Sequence, residues 1–501
     1  MKHILLFGAG KSATALIDYL KELSTEKKYT VSVADGNLET VQAKVGIHPF
    51  VTAFQADVEN EFERHSLIRQ ADVVISLLPP SLHYLVALDC LEFGKHLLTA
   101  SYVDDKIKVL EKDIKEKGLL FLCEMGLDPG IDHMTAMELI HRIKAFGGNI
   151  VSFRSHCGGL TAPESDTNPW HYKISWNPKN IILAGKAGAS FKVKGQEQFV
   201  DYEELFNHEN LVDIPDLMVL SYYPNRDSLS YIPLYQLQEA ETFVRTTLRH
   251  PDFTFGWKNI VDLKLTDETI VYDTTELTVA HFFKLHFDRF GFSDWLNEML
   301  HTRLTYAKDM MENLLQLIET EEELKEKGEE TEDTIMLVNE KGELDSVEVE
   351  DMKDKAAATL AIKMHEANLS LKQLFFLGLD SDEILNLGNC TAAEILQHIL
   401  EQKLALSPED KDMIVMMHEV QYELDGIMNE VKSTMVVKGK DSVHTAMAKT
   451  VGLPLGIAAK LILDGTITDR GLHIPISASI YIPVLAALEN HGIEFTEIIT
   501  R

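Results

Sequence analysis

Through its first 124 residues the chain switches repeatedly between short continuous apolar runs and stripes of apolar residues spaced three or four apart, and few folds accommodate that alternation. His3 to Gly8 is a run ending in glycine, and Ala13, Leu16, Ile17 and Leu20 follow at helical spacing, which predicts strand, turn and helix. Tyr29–Asp35 reads as the next strand, Leu38–Val45 as a helix, Ala53–Asp57 as a short strand and Ala71–Leu78 as a fully buried one. Leu82, Leu85, Val86 and Cys90 form a helical stripe, followed by strand His96–Ser101, helix Lys106–Lys117 and strand Leu119–Glu124. Strands separated by helices require crossover connections, so the expected fold is α/β with a doubly wound parallel sheet covered on both faces.

Beyond Gly130 the connections lengthen, with proline and tryptophan scattered through Pro163 to Pro178, and an antiparallel sheet with helices is expected to about Val271. Glu276 to about Leu406 reads as largely helical. Within it, Glu319–Asp333 carries nine acidic and two basic residues, the composition of a solvated helix end or loop. From Ser442 the chain turns apolar and glycine-rich again, as a buried helix would.

Charge narrows the function classes: 79 acidic against 47 basic residues make the net charge −32, which argues against nucleic acid or anionic membrane as a partner. Cys90, Cys123, Cys157 and Cys390 are widely spaced with no C-x-x-C pair, so neither a disulfide framework nor a cysteine zinc site is expected. A reducing, cytoplasmic setting fits them. No targeting segment is visible, and no apolar stretch approaches the roughly 18 to 20 residues of a membrane span.

Gly8-Ala9-Gly10-Lys11-Ser12-Ala13 gives G-x-G-x-x-A between the first strand and helix. Gly8 permits the tight turn, Gly10 lets backbone N–H groups approach a pyrophosphate, and small Ala13 lets helix and strand pack closely. Asp35 ends the second strand, 25 residues after Gly10, where a carboxylate bonds the adenosine ribose hydroxyls and repels a 2′-phosphate. No arginine adjoins it, so NAD is expected, with NADP not excluded. Asp57, Ser76, Leu77 and Leu78, at the ends of the third and fourth strands, are expected to flank adenine and ribose.

Asp128 followed by proline suits a helix N-cap, and a carboxylate at the sheet's carboxyl edge also suits a substrate amine. His83 and His133 read as ordinary structural histidines, and Cys157 as a small buried residue rather than a nucleophile. With no H-E-x-x-H and no convincing histidine-carboxylate cluster, no catalytic metal is expected.

Several longer blocks carry a family resemblance: Ala100 to Val103, Glu124 to His133 (EMGLDPGIDH), Cys157 to Trp176, Tyr223 to Ser228 (YPNRDS), Glu239 to Arg249 (EAETFVRTTLR) and Val451 to Ile467. They resemble the glutamate-forming saccharopine dehydrogenases, also called saccharopine reductases. The resemblance implies an NAD(P)-dependent homodimer interconverting saccharopine with L-glutamate and 2-aminoadipate 6-semialdehyde in lysine metabolism. It implies a Rossmann domain over 1–130 completed by about 442–501, a mixed α/β substrate and dimerisation domain over 131–275, and a largely helical part over 276–441 with return to the substrate domain. Carried over by motif, cofactor contacts fall on Gly10 to Ala13, Asp35, Ala100, Ser101, Leu127, Asp128, Pro129 and Ser175. Substrate contacts fall on Ser101, Tyr102, Asp128, Arg226, Thr247, Leu248 and Arg249. Thr246 stands where the family usually has glycine, and Pro80 where it has an aromatic.

Saccharopine carries three carboxylates and a secondary amine, so Arg226 and Arg249 are the natural clamps, and Asp128, Tyr102 or an ordered water would relay the amine proton. The competing readings are a related imine reductase such as carboxynorspermidine dehydrogenase and a non-catalytic nucleotide-sensing protein on the same fold.

Overall fold

The computed structural model describes residues 1–27, 29–207, 209–301, 334–338, 344–348 and 365–500. Six strands, β1 (His3–Phe7), β2 (Thr30–Asp35), β3 (Val51–Gln55), β4 (Val73–Ser76), β5 (His96–Thr99) and β6 (Leu120–Leu122), build a parallel sheet with Gly471–His473 as a seventh. The order is Gly471–His473, β6, β5, β4, β1, β2, β3, all neighbours parallel. Every residue of β4 and β6 is buried, as a sheet with two covered faces demands. Strand order reverses between β1 and β4, and that switch point is where open sheets of this kind leave a crevice at the strands' carboxyl ends.

Local differences from expectation sit at the ends of elements. Leu77, Leu78, Ala100 and Ser101 lie past the ends of their strands and line that carboxyl edge. The Lys106–Lys117 helix is two pieces, Asp105–Lys108 and Glu111–Glu116. A further helix, Glu61–Ile68, starts at Asn60, whose side chain accepts from the N–H of Phe62.

The last 60 residues serve both halves of the larger unit. Helix Ala446–Leu463 lies against helix Thr14–Lys27 so closely that a Cβ on Gly452 would sit 3.0 Å from the Leu16 Cβ. Asp412 caps its first turn, accepting from Ala446 N (2.6 Å) and Met447 N (2.9 Å). This corrects the expectation about apolar stretches, because the helix's 18 residues, at mean hydropathy 1.5, are long and apolar enough to cross a bilayer. They are 78% buried, which is the environment of a core helix.

The second sheet is mixed rather than antiparallel. Its strands are β7 (Asn149–Thr161), β8 (Ala189–Val193), β9 (Gln196–Val200), β10 (Leu211–Ile214), β11 (Met218–Pro224), β12 (Thr242–Arg249), the hairpin Asp412–Leu424 and Ile427–Lys438, and Thr496–Thr500. The chain returns from β7 to β12 by a long crossover, and the two pair in parallel at the sheet's centre. Period two then separates two faces. Phe153, Cys157, Phe243, Ile414 and Met416 join the core shared with helix Ile131–Ala145, and Leu160, Leu248, Met413 and Met417 form a second cluster behind.

Both sheets belong to one compact unit, residues 1–167, 171–255 and 404–501. The other, 168–170 and 256–403, holds helices Val279–Phe290 and Ala392–Lys403 and a strand pair, Val271–Asp273 with Asn389–Thr391. The acidic stretch Glu319–Asp333 lies outside the described residues.

Candidate functional site

Gly8 adopts φ +98°, and a Cβ there would lie 2.6 Å from the Leu77 carbonyl oxygen, so only glycine lets β1 end beside the segment after β4. Above Gly10 a Cβ would meet nothing within 4 Å, so the turn shows bare backbone to the crevice. Lys11–Ala13 form a 3-10 turn with Ala13 buried, leading into helix Thr14–Lys27. The Asp35 carboxylate brackets this turn, accepting from Ala9 N (2.8 Å) and Asn37 N (3.0 Å). A carboxylate offers about four acceptor positions, which leaves capacity for hydroxyl groups. Lys44 donates to the Gly10 carbonyl. Ser76 is buried and Leu77 and Leu78 are half-buried at the same edge. Asp57 is exposed, and its Oδ1 closes a local turn by accepting from Glu59 N (2.9 Å). An open glycine turn at a helix start with an acceptor at the end of β2 suits a dinucleotide.

Beside the turn, two serines are tied through a histidine. Ser76 Oγ lies 2.8 Å from His83 Nδ1, and His83 Nε2 lies 2.9 Å from Ser101 Oγ. Burial pushes the His83 pKa down to about 4.

The segment after β6 folds back on itself. Met125 N donates to Thr99 O, Glu124 N to Ser101 O and Gly126 N to Pro129 O, while Gly130 takes φ +148° where a Cβ would lie 2.1 Å from Gly126 O. Ala100, Leu127 and Pro129 pack in this fold, with the Ala100 Cβ 3.0 Å from where a Gly126 Cβ would stand. The expected N-cap at Asp128 is corrected here. The helix begins at Ile131 after Gly130, the Asp128–Pro129 bond is cis, and Asp132 Oδ1 takes the Gly130 N–H (2.6 Å). The Asp128 carboxylate does not cap the helix.

It meets Arg245, which the sequence reading did not select. One nitrogen, Nη2, of this buried guanidinium donates to Asp128 Oδ1 (2.6 Å) and Asp132 Oδ2 (2.8 Å), and lies 3.4 Å from the Tyr102 hydroxyl. Its carbon stands 4.6 Å from the Tyr231 ring centre and 5.8 Å from that of Tyr102. The signal was available, because period two along β12 puts Arg245 on the face that carries Thr247 and Arg249. Burial pushes the Asp128 pKa up to about 6, with Arg245 opposing and Asp132 reinforcing. In Asp132 burial is outweighed by His133, Arg245 and the Gly130 N–H, so its pKa is lowered. Burial also raises Tyr102, which therefore keeps its proton.

Behind this cluster Glu124 accepts from Val103 N (3.1 Å) and the Tyr231 hydroxyl (3.0 Å), and lies 2.8 Å from His133 Nε2. His133, fully buried, also meets the Tyr235 hydroxyl at 2.5 Å.

The two arginines expected as clamps differ. Arg226 is exposed, its guanidinium 5.2 Å from the Tyr102 ring centre. Arg249 is 7% exposed and packs over Tyr172 and Phe253, with Nη1 donating to Leu248 O (2.9 Å) and a buried Nε that has no partner. Thr247 is half-buried opposite Cys157, whose thiol burial pushes well above its ordinary value. The Leu248 side chain points into the apolar cluster behind the sheet, so only its backbone is available to a ligand. Ser175 is buried and hydrogen-bonds Asp412 at the start of helix Ala446–Leu463.

Among the described residues one group, His171, His250 and Asp252, brings three possible metal ligands within 4.8 Å of one another. His171 also lies between Asp166 (2.5 Å) and Asp252 (3.2 Å). These two carboxylates, Asp252 first, raise its pKa to about 9 against burial, so both ring nitrogens carry protons at neutral pH. Because the folded value exceeds the ordinary 6.5, the contribution is full below about 6.5 and is lost as pH rises through about 9. The difference in melting temperature between the unaltered protein and His171→Gln should shrink between pH 7 and 10. A pH-independent difference would exclude the ion-pair account.

Comparison with known proteins follows the same outline. The saccharopine dehydrogenase NADP binding domain matches residues 4–122, and the saccharopine dehydrogenase C-terminal domain matches 126–363 and 344–493. The chain is 31% identical over 499 residues to a saccharopine dehydrogenase (NADP(+), L-glutamate-forming) of Saccharomyces cerevisiae, covering 99% of each. It is 32% identical over 521 residues to an alpha-aminoadipic semialdehyde synthase of Arabidopsis thaliana, where 99% of this chain spans 44% of the relative; for the mouse protein the span is 47%. The apo structure of saccharopine dehydrogenase (L-Glu forming) from S. cerevisiae superimposes with TM-score 0.76 at 28% identity, covering 100% of both chains. Matched in both domains and along almost its whole length, the chain belongs to the saccharopine dehydrogenase family.

Proposed function

We propose that this protein is an oxidoreductase that interconverts saccharopine with L-glutamate and 2-aminoadipate 6-semialdehyde, using NAD(H) in preference to NADP(H). The observation that carries the reading is a carboxylate, Asp128, bonded to Arg245 at the edge of a dinucleotide-type sheet. Saccharopine needs those features together, since its carboxylates require cations and its secondary amine must lose a proton before oxidation.

A bound nicotinamide dinucleotide supplies the two-electron acceptor or donor. The chain's own residues do the rest. Gly8, Gly10 and Ala13 hold the dinucleotide's pyrophosphate close to the backbone, and Asp35 receives ribose hydroxyls. Arg226 and Arg249 hold substrate carboxylates. Asp128 takes the amine proton: with a pKa near 6 it is ionised at neutral pH yet close enough to that pH to give the proton back. Arg245 keeps that carboxylate ionisable, and Tyr102, which stays a phenol, is not the base. Positioning of the amine against the acceptor supplies much of the rate.

Saccharopine oxidation followed as NADH formation, with glutamate measured as product, tests the reaction. Turnover of an amino-aldehyde pair with fewer carboxylates, and none with saccharopine, would favour the carboxynorspermidine type. Nucleotide binding with no turnover would favour a sensor. For the cofactor, relatives named for NADP(+) and the matched NADP binding domain make the opposite preference a real competitor, and Lys44 is the nearby cation that could serve it. The expectation from Asp35 is a catalytic efficiency with NAD at least tenfold above NADP, and a loss of that margin in Asp35→Ala. Equal efficiency with both cofactors in the unaltered protein would remove Asp35 as the discriminator.

A further inference from the structure

Lys44 stands in the last turn of helix Leu38–Val45, which follows β2, and its side chain reaches back 34 positions to donate to the Gly10 carbonyl. Its own carbonyl accepts from Lys21 Nζ (3.4 Å) on helix Thr14–Lys27, so the backbone that carries the ammonium is held beside the glycine turn. Asp35 holds the preceding residue of that turn through Ala9 N (2.8 Å). Carboxylate and ammonium therefore grip consecutive residues, Ala9 and Gly10, and each feels the other's charge. Burial lowers the Lys44 pKa, and Asp35 is the first of two carboxylates that oppose it, Asp18 being the second.

This pair of charges bears on one position of the cofactor. A ribose whose hydroxyls sit on Asp35 presents its 2′ position beside that carboxylate, where a phosphate meets a like charge. A cation one residue along the turn offsets that repulsion. Lys44 is half-buried rather than enclosed, and a lysine carries its charge on a flexible four-carbon stem, so the ammonium can turn from the carbonyl to an incoming phosphate. Gly10 O keeps its bond from Ala13 N (3.0 Å) when it does, so no acceptor is left bare. A 2′-hydroxyl makes no such demand, and the ammonium then stays on the turn.

We infer that Lys44 is a second cofactor-specificity residue: it is the cation that lets the site accept a 2′-phosphate against Asp35, and so it sets how narrow the margin between NAD(H) and NADP(H) is. The inference rests on the proposed use of a nicotinamide dinucleotide and on no particular amino-acid substrate.

The test is titration with NADH and with NADPH, read by nucleotide fluorescence with no amino acid present, so that it is independent of turnover. The quantity is the ratio of the Kd for NADPH to that for NADH. Lys44→Met should raise this ratio by about tenfold, the lower range for a hydrogen bond to a charged group, while the Kd for NADH moves by less than about threefold. Lys44→Gln, neutral but still a donor, should raise it as much, and Lys44→Arg should hold it within about threefold of the unaltered protein. With Asp35→Ala in place, NADPH should bind more tightly than to the unaltered protein and lose that gain when Lys44→Met is added. Equal loss for both nucleotides in Lys44→Met and Lys44→Gln would make Lys44 a support of the turn and overturn the proposal. So would tight binding of NADH with none of NADPH by the unaltered protein, or a rise in the ratio with Lys11→Met, at the exposed lysine of the turn, and none at Lys44. If Lys44→Met does not fold, Lys44→Gln decides. A protein that binds neither nucleotide refutes the dinucleotide reading and the proposal with it, whereas one that binds both but does not turn over saccharopine leaves the Lys44 result standing.

Discussion

Arg245→Met is expected to lower the stability of the protein by about 3 to 5 kcal/mol at pH 7.5, the usual cost of removing one partner from a buried charge cluster. The side chain is 2% exposed, and both Asp128 and Asp132 depend on its Nη2. Methionine has comparable length and fills the space between Tyr102 and Tyr231, so packing is largely kept and the loss reports charge. Two carboxylates would then face each other without the guanidinium that bonds both. The loss should diminish as pH falls from 8 toward 5, because Asp128, already raised to about 6 with Arg245 present, would be raised further without it and would take up a proton. Adding Asp128→Asn and Asp132→Asn should recover much of the stability, since the uncompensated charges are gone. Urea unfolding gives the measurement as a shift in midpoint at unchanged slope. A loss below about 1 kcal/mol would mean that Arg245 does not hold the pair together.

Arg249→Ala is expected to reduce kcat/KM for saccharopine by about 30-fold or more, and Arg226→Ala, at an exposed position, by a smaller factor. Truncating one partner of a desolvated charge pair commonly costs roughly 2 to 5 kcal/mol, and each 1.36 kcal/mol is tenfold in rate. Arg226 presents an exposed guanidinium over Tyr102, beside Asp128. Arg249 is enclosed by Tyr172 and Phe253 with its Nε unsatisfied, the condition of a group awaiting a partner. Dinucleotide affinity should change little. Lysine should recover only part of the loss at either position, because it restores charge without the planar fork. An alanine variant that folds and keeps full kcat/KM would show that arginine to be structural. Arg249 is the more exposed to that outcome, since its Nη1 already serves the Leu248 carbonyl.

The parallel sheet and its glycine turn were legible in the chain because both depend on short-range patterns. An apolar run buried on both faces has the same appearance in β1, β4 and β6 whatever surrounds it, and Gly8 is demanded by one φ angle and one close approach. The same local reasoning misread Asp128. An aspartate before proline is a sound cap by propensity, but the segment from Glu124 to Gly130 is held by bonds to Thr99 and Ser101, which reverse it before the helix begins. Leu248 came with Thr247 and Arg249 in the family motif, and the alternation of the strand sends its side chain behind the sheet, leaving its backbone to face a ligand.

The sequence by itself determined the strand-helix alternation, the dinucleotide turn and the chemical kinds of residue at the site, since each is written in spacings of a few residues. Only the tertiary structure decided which of those residues meet. Arg245 reaches Asp128 across 117 positions, Tyr231 reaches Glu124 across 107, and His83 joins serines on two different strand ends. Contacts of that range follow from sheet order and from the parallel register of β7 and β12, and those are settled by the burial of whole faces rather than by any local preference.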